Sequence, residues 1–314
     1  MITTTSPETW MNSDASLRDE LISYADEGLL PDLLAETGPE SLEELKQRWL
    51  VWALEHQKPP LSVPDGHAWT TWLILGGRGA GKTRAGAQWV RGVARGELPY
   101  ATTKLSPIAL VGETEHEVRE VMIEGVSGIL AVHERRERPV WIPSRRRLEW
   151  PSGVVAQAFS AEDPESLRGP QFAAAWADEL AKWRHAEATF DMLQFGLRLG
   201  ERPRQVITTT PRPMALLKRL MADPATVVTR ASTRANAYHL SPALIDTVFT
   251  RYGGTRLGRQ ELDGEIIEDR AGALWTRALI ETARVAALER QLSRLRWWEL
   301  PPNLLDHRRK RGCL

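Results

Sequence analysis

The run Gly76-Gly-Arg-Gly-Ala-Gly-Lys-Thr83, entered from Thr71-Trp-Leu-Ile-Leu75, constrains this chain more than any other stretch. It fits the phosphate-loop pattern G-x-x-x-x-G-K-[ST], with Gly76, Gly81, Lys82 and Thr83 at the fixed positions. A backbone this rich in glycine bends around an anion. The N–H groups of Gly76, Gly77, Arg78, Gly79, Ala80 and Gly81 then turn inward. Lys82 reaches the outer phosphates, and Thr83 can ligate Mg²⁺. A helix-forming run follows from Arg84 to Arg95, so the positive end of a helix also faces the phosphates. The alternative is a plain glycine-rich turn between a strand and a helix.

The second half of a hydrolytic site lies downstream. Phe172-Ala-Ala-Ala-Trp-Ala177 is an apolar strand that runs into Asp178-Glu179. The first carboxylate is expected to hold Mg²⁺ through water, because that ion keeps much of its hydration shell. The second can polarise an attacking water. The long separation between Lys82 and Asp178 leaves room for further strands. The fold expected is therefore an α/β P-loop NTPase of the additional-strand, catalytic-glutamate type, as in RecA-like proteins and helicases. Its sheet should be mostly parallel with helices on both faces.

Other stretches add detail. Gln205-Val-Ile-Thr-Thr-Thr-Pro211 reads as a strand whose hydroxyls fall at the C-terminal end, the ligand-facing edge of an open parallel sheet. Thr208, Thr209 and Thr210 can therefore sense the γ-phosphate or the water; their β propensity alone is the plainer explanation. Gln57, upstream of the phosphate loop, offers a donor and an acceptor together and so can read an adenine edge. Leu180 to Leu199 reads as one helix. Glu113 to Glu117 opens another, with Val118, Val121, Met122 and Val126 as its apolar face. Leu148 to Val155 reads as a hairpin turning at Pro151-Ser-Gly153, with Gln157 to Ser160 as a separate strand. The basic run from His133 to Arg147 is interleaved with glutamates, so a solvated charged edge is expected there before any contact with DNA.

Residues 1–55 form the N-terminal helical segment of this reading. Its first 14 residues or so are expected to be disordered, Pro31 to interrupt the first helix, and Ser41-Leu-Glu-Glu44 to cap the second. The nucleotide-binding domain spans 56–270, and 271–314 form a tail. Formal net charge is zero, so no global field recruits nucleic acid and any such contact must be local. The one cysteine, Cys313, excludes an internal disulfide and fits a reducing cytoplasm. No apolar run approaches the roughly 18 residues needed to span a bilayer.

The order and spacing of the phosphate loop, Asp178-Glu179 and the Thr-Thr-Thr-Pro strand resemble those of the large terminase subunits. These belong to tailed bacteriophages and phage-like gene transfer agents. Phe159-Ser-Ala-Glu-Asp-Pro-Glu-Ser-Leu-Arg-Gly-Pro170 and Trp176-Ala-Asp-Glu-Leu-Ala-Lys-Trp183 also look like that family. The resemblance covers roughly residues 45–282. It implies an ATPase that pushes double-stranded DNA into a procapsid, in the host cytoplasm. The implied partners are the portal protein, the small terminase subunit and further copies of the chain in a ring, a pentamer when docked. By the same resemblance Lys82 and Thr83 bind phosphate and Mg²⁺, Asp178 holds the metal, Glu179 activates water, and Thr208 to Thr210 couple hydrolysis to movement. Arg78 would neutralise transition-state charge in its own subunit, and Arg168 would do so across a subunit boundary.

The family continues into a ribonuclease-H-like nuclease whose first strand carries an Asp. This chain instead reads Arg296-Trp-Trp-Glu-Leu-Pro-Pro302. A shifted reading frame there recovers a Val-Gly pair, although the codon that should supply the Asp must end in C-C and cannot. The tail is therefore expected to be a frameshifted remnant of the nuclease, without DNA cleavage. Two rival readings remain: a helicase-like nucleic-acid translocase, and a non-packaging prophage remnant that still binds ATP.

Overall fold

The computed structural model describes residues 7–267. The sequence readings that fall on 271–314, the frameshifted tail among them, lie outside these residues.

Four short helices come first: α1 (Pro7–Asp26), α2 (Leu30–Glu36), α3 (Pro39–Gln47) and α4 (Trp49–Trp52). Three expectations fail here. Residues 7–14 are helical, not disordered, since α1 opens at Pro7. Asp14 is buried and paired with Arg48, and Arg18 donates to the Ala53 carbonyl at 2.5 Å, so tertiary contacts hold this polar helix in place. Helix α3 begins at Pro39 after Gly38, with no side-chain cap. Ser41 therefore lies inside the helix, and the proline at the first position sets the start instead. Pro31 plays the same part at the start of α2; α1 already ends at Asp26, so this proline begins a helix and does not interrupt the first.

The core is an eight-stranded sheet. Its strands are β1 (Thr71–Gly76), β2 (Ile108–Gly112), β3 (Val140–Ile142), β4 (Arg147–Glu149), β5 (Val155–Ser160), β6 (Ala174–Asp178), β7 (Arg204–Thr209) and β8 (Thr226–Ala231). They lie in the order β3-β4-β5-β2-β6-β7-β1-β8. Pairing is parallel throughout except β3 with β4 and β4 with β5. Strand β7 thus stands between the phosphate-loop strand β1 and the Asp-Glu strand β6. That insertion is the additional strand expected from the sequence.

Alternation along the strands divides the core in two. Trp72, Ile74, Ile108, Leu110, Ala174, Trp176 and Val206 join one apolar cluster with α5 (Lys82–Arg95). Leu73, Leu75, Ala109, Val111, Ala175, Ala177 and Ile207 join the other with α8 (Ala186–Gly196) and α9 (Ala215–Ala222). A period of two residues puts successive side chains on opposite faces, so a strand covered on both faces reads as a near-continuous apolar run. The run is broken here where buried polar groups such as Gln205, Thr208 and Asp178 find partners.

Between β2 and β3 lie α6 (Glu115–Glu117), a π-helical turn over Val118–Ile123, and α7 (Ile129–Val132). The wider π turn redirects the apolar face. Val118, Met122 and Ile123 are buried, whereas Val121 is 41% exposed and Val126 94% exposed, contrary to the regular 3.6-residue spacing assumed from sequence. The hairpin turn at 151–153 forms as expected, but Val155 to Ser160 is one strand. The expected helix from Leu180 to Leu199 breaks after the 3-10 turn Leu180–Lys182 and restarts at Ala186. After β8 come a 3-10 run (Thr233–His239), α10 (Pro242–Tyr252) and α11 (Arg256–Glu261).

Candidate active site

The site is built at the C-terminal ends of β1, β6 and β7. Lys82 is the first residue of α5 and follows Gly81, whose φ of 82° is left-handed. A side chain at Gly81 would also meet Gln57 Nε2 at 2.3 Å. Only glycine satisfies both demands. Lys82 Nζ donates to the carbonyls of Gly76 at 3.0 Å and Gly77 at 3.1 Å, and to Thr210 Oγ1 at 3.1 Å. It also stands 3.3 Å from Glu179 Oε1. Thr83, next along α5, is half-buried.

Registers bring the other groups in. Asp178 lies opposite Thr208 and Leu75 opposite Thr209. Each threonine of the strand takes one job. Thr208 Oγ1 donates to Asp178 Oδ1 at 2.5 Å. Thr209 Oγ1 accepts from the Ala181 N–H at 3.0 Å, which ties the turn after the carboxylates to β7. Thr210 accepts from Lys82, and its own N–H donates to Glu179 Oε2 at 3.1 Å. Glu179 itself has φ 52° and ψ 42°. A left-handed glutamate costs on the order of 1 kcal/mol, and such strain persists where surrounding contacts over-determine it. Here those contacts are Lys82 and the Thr210 amide.

Asp178 is buried, and burial pushes its carboxyl up to about 7, with the neighbouring Glu179 adding to the rise. Thr208 and Lys82 act in the opposite direction. A divalent cation would restore the ionised form. No cluster of three or more metal-ligating side chains is found among the described residues. A single buried carboxylate, Asp178, fits Mg²⁺, which takes few protein ligands and fills its octahedron with water and phosphate oxygens.

The loop is braced from outside. His56 Nε2 donates to the Ala80 carbonyl at 2.7 Å, and burial lowers the pKa of this imidazole. Gln57 Nε2 donates to the Gly81 carbonyl at 3.0 Å while its Oε1 accepts from the Leu54 N–H. From the other side, Thr233 Oγ1 donates to the Arg78 carbonyl and Asn236 Nδ2 to that of Gly79, at 2.6 and 2.7 Å. The Arg78 guanidinium is exposed and pairs with Glu261 at 3.2 Å. Arg168 is exposed and pairs with Glu165 of its own loop at 3.0 Å, not with Lys82 or the carboxylates. The basic edge carries ion pairs from Arg146 to Glu115 and from Arg145 to Glu149, in keeping with a solvated charged edge.

Sequence reasoning missed His56, Trp176, Thr233, Asn236 and Glu261. Trp176 had a signal: it lies two residues before Asp178 on a strand, hence on the same face. Glu261 had none, since its partner Arg78 is far away in the chain.

The sequence matches a family model described as "Terminase large subunit, T4likevirus-type, N-terminal" over residues 73–282. The chain belongs to this terminase family. No curated protein matches it. Among solved structures, it is similar to the large terminase of a thermophilic bacteriophage in complex with ATP-gamma-S. That match has 15% identity and TM-score 0.52, over 68% of this chain and 52% of the other. It also resembles the large terminase of bacteriophage HK97, at 18% identity and TM-score 0.46 over 73% and 50%. The Thermus phage P74-26 large terminase ATPase domain matches at 16% and 0.45 over 63% and 88%. The chain thus spans about half the length of the two large terminases and most of the isolated ATPase domain. Among the described residues no helix is long and apolar enough to cross a membrane.

Proposed function

We propose that this terminase chain is the ATP-hydrolysing motor of a phage DNA-packaging machine. The observation that carries the reading is the convergence of Lys82, Glu179 and Thr210 at the end of the inserted strand β7, with Asp178 beside them. One lysine reaches for phosphate. One carboxylate is poised for a metal. The other is held by a lysine and a backbone amide where it can take a proton from water.

On this reading Lys82 and the N–H groups of Gly79 and Gly81 hold the β- and γ-phosphates of ATP. Contrary to the sequence expectation, the N–H groups of Gly77, Arg78 and Ala80 donate to the carbonyls of Ala231, Glu261 and Gly77. Gln57, bonded at both ends of its amide to backbone, braces the loop where adenine contact was expected. Asp178 and Thr83 hold Mg²⁺, which when bound supplies charge neutralisation at the phosphate oxygens. Glu179 accepts the proton of the water that attacks the γ-phosphorus, and the products are ADP and phosphate. Thr210 touches both Lys82 and Glu179, so a change at the phosphate reaches β7 directly. Arg78 acts in its own subunit. Arg168, free of contact with the phosphate loop and exposed, is suited to reach a neighbouring copy in a ring. Double-stranded DNA, the portal and the small subunit are the partners of that ring.

The test is ATP hydrolysis by the purified protein with and without double-stranded DNA. It is paired with mixing of Arg168→Ala and Glu179→Gln subunits. Hydrolysis stimulated by DNA, and partly restored on mixing, is expected. Hydrolysis indifferent to DNA, with no restoration, would leave an ATPase without the motor.

A further inference from the structure

We infer that Trp176 is a positioning residue for Asp178, acting through Thr208. This rests on the ATPase reading above. Strand alternation puts Trp176 and Asp178 on one face of β6, and the register puts Thr208 opposite Asp178. Trp176 Nε1 lies 3.1 Å from Thr208 Oγ1, and Thr208 Oγ1 lies 2.5 Å from Asp178 Oδ1. All three residues are buried.

The direction of this chain follows from what each group can do. An indole N–H only donates. Thr208 must therefore present a lone pair to Trp176, and its single hydrogen points elsewhere. Two acceptors are within reach: Asp178 Oδ1 at 2.5 Å and the Ala177 carbonyl at 3.3 Å. The shorter, charge-assisted bond wins. Donation from the indole also polarises the hydroxyl and strengthens its own donation by about 10–30%. Without the indole the hydroxyl keeps both acceptors, Asp178 Oδ1 and the Ala177 carbonyl, but loses the donor that fixes its lone pairs. With it, Asp178 is held by one oxygen in a fixed orientation, and the other oxygen is left to serve a metal.

The P-loop helix is shaped to admit this ring. A side chain at Gly86, in the first turns of α5, would stand 2.2 Å from Trp176 Cε2 and 2.4 Å from its Nε1. Gly86 thus lets the indole lie between α5 and β6 with its N–H aimed at β7. A second indole, Trp183, donates to the Asp178 carbonyl at 2.9 Å and fixes the backbone of the same residue.

The experiment measures the affinity for ATP-gamma-S with Mg²⁺ and in EDTA, alongside thermal stability. The proteins are wild type, Trp176→Phe, Thr208→Val and Thr208→Ser. A metal-orienting role predicts that the ratio of the two affinities falls about tenfold in Thr208→Val, since a hydrogen bond to a charged group is lost. In Trp176→Phe it falls by at least about threefold. Affinity in EDTA stays near wild type, and Thr208→Ser keeps the ratio. A packing role alone would lower stability and leave the ratio untouched; that result in Trp176→Phe overturns the inference. If Trp176→Phe has no cooperative melting transition, Gly86→Ala replaces it, because the added methyl displaces the indole. An unchanged ratio in that variant overturns the inference equally. A wild-type protein that binds no nucleotide in either condition overturns the ATPase reading itself, a distinct result.

Discussion

Lys82 Nζ and Glu179 Oε1 face one another across 3.3 Å. The group expected to hold phosphate and the group expected to take the proton of water are therefore electrostatic partners, with Thr210 bonded to both. Thr210→Val removes the hydroxyl that accepts from Lys82 and keeps the amide. Loss of a hydrogen bond to a charged group predicts about a tenfold fall in kcat/KM. Steady-state hydrolysis measures it, and a value within twofold of wild type would place Thr210 outside the catalytic network.

Gly81→Ala joins two faults, a left-handed backbone and a methyl directed at Gln57. The variant should fold, because the loop follows the C-terminal end of β1, but nucleotide affinity should drop by about 5- to 30-fold, equivalent to the 1–2 kcal/mol of left-handed strain. Titration calorimetry with ADP gives the affinity. Unchanged binding would mean that the loop geometry is not what holds the phosphates.

His133 gives a pH signature unrelated to catalysis. Its Nδ1 donates to the Ile129 carbonyl and its Nε2 accepts from Trp150 Nε1 at 2.9 Å. Protonation would set two hydrogens against each other at Nε2. Burial pushes this imidazole down to about 4. A depressed histidine stabilises the fold fully above the unfolded value near 6.5, and that stability is lost as pH falls toward 4. The loss amounts to about 3 kcal/mol. Asp178, raised by burial, works in the opposite sense over part of the same range, so wild type alone does not isolate the histidine. The comparison is urea unfolding of wild type and His133→Gln at pH 7.5 and 5. Glutamine still offers an acceptor and a donor but does not titrate. Wild type should lose more stability than the variant on acidification; equal losses would remove His133 from the account.

Gly86→Ala should cost about 1–3 kcal/mol of stability, the usual penalty for overpacking a filled core. By contrast Glu261→Gln should cost less than about 1 kcal/mol, because its partner Arg78 is 84% exposed and such pairs are weak. Denaturant midpoints of the two variants decide this. A large loss in Glu261→Gln would show that the exposed pair contributes to folding.

Much of the fold was legible because the signals were local. A strand, a glycine-rich loop and a helix follow one another from Thr71 to Arg95. Asp178-Glu179 ends an apolar run, and the threonines end another. The doubly buried strands β1, β2 and β6 carry unbroken apolar runs at Trp72–Leu75, Ile108–Val111 and Ala174–Ala177. What was not legible depended on distance or on irregular geometry. The π turn at Val118–Ile123 carries no pattern distinguishable from an ordinary helix, so the spacing alone points Val121 and Val126 inward. Helix α1 is polar and is held by Asp14 and Arg18 contacts to residues over thirty positions away. The Trp176–Thr208–Asp178 chain needed the register of β6 and β7, which no single stretch of sequence specifies.

The central claim is that Gly76 to Thr83 and Asp178-Glu179 form one ATP-hydrolysing site. ATP turnover and ATP-gamma-S binding, measured together on wild type, Lys82→Ala and Glu179→Gln, test it most directly. The account predicts that Glu179→Gln loses about 10²–10⁴-fold in turnover while still binding nucleotide, as expected for removal of a general base. It predicts that Lys82→Ala loses both. Turnover in both variants at the wild-type rate would contradict it.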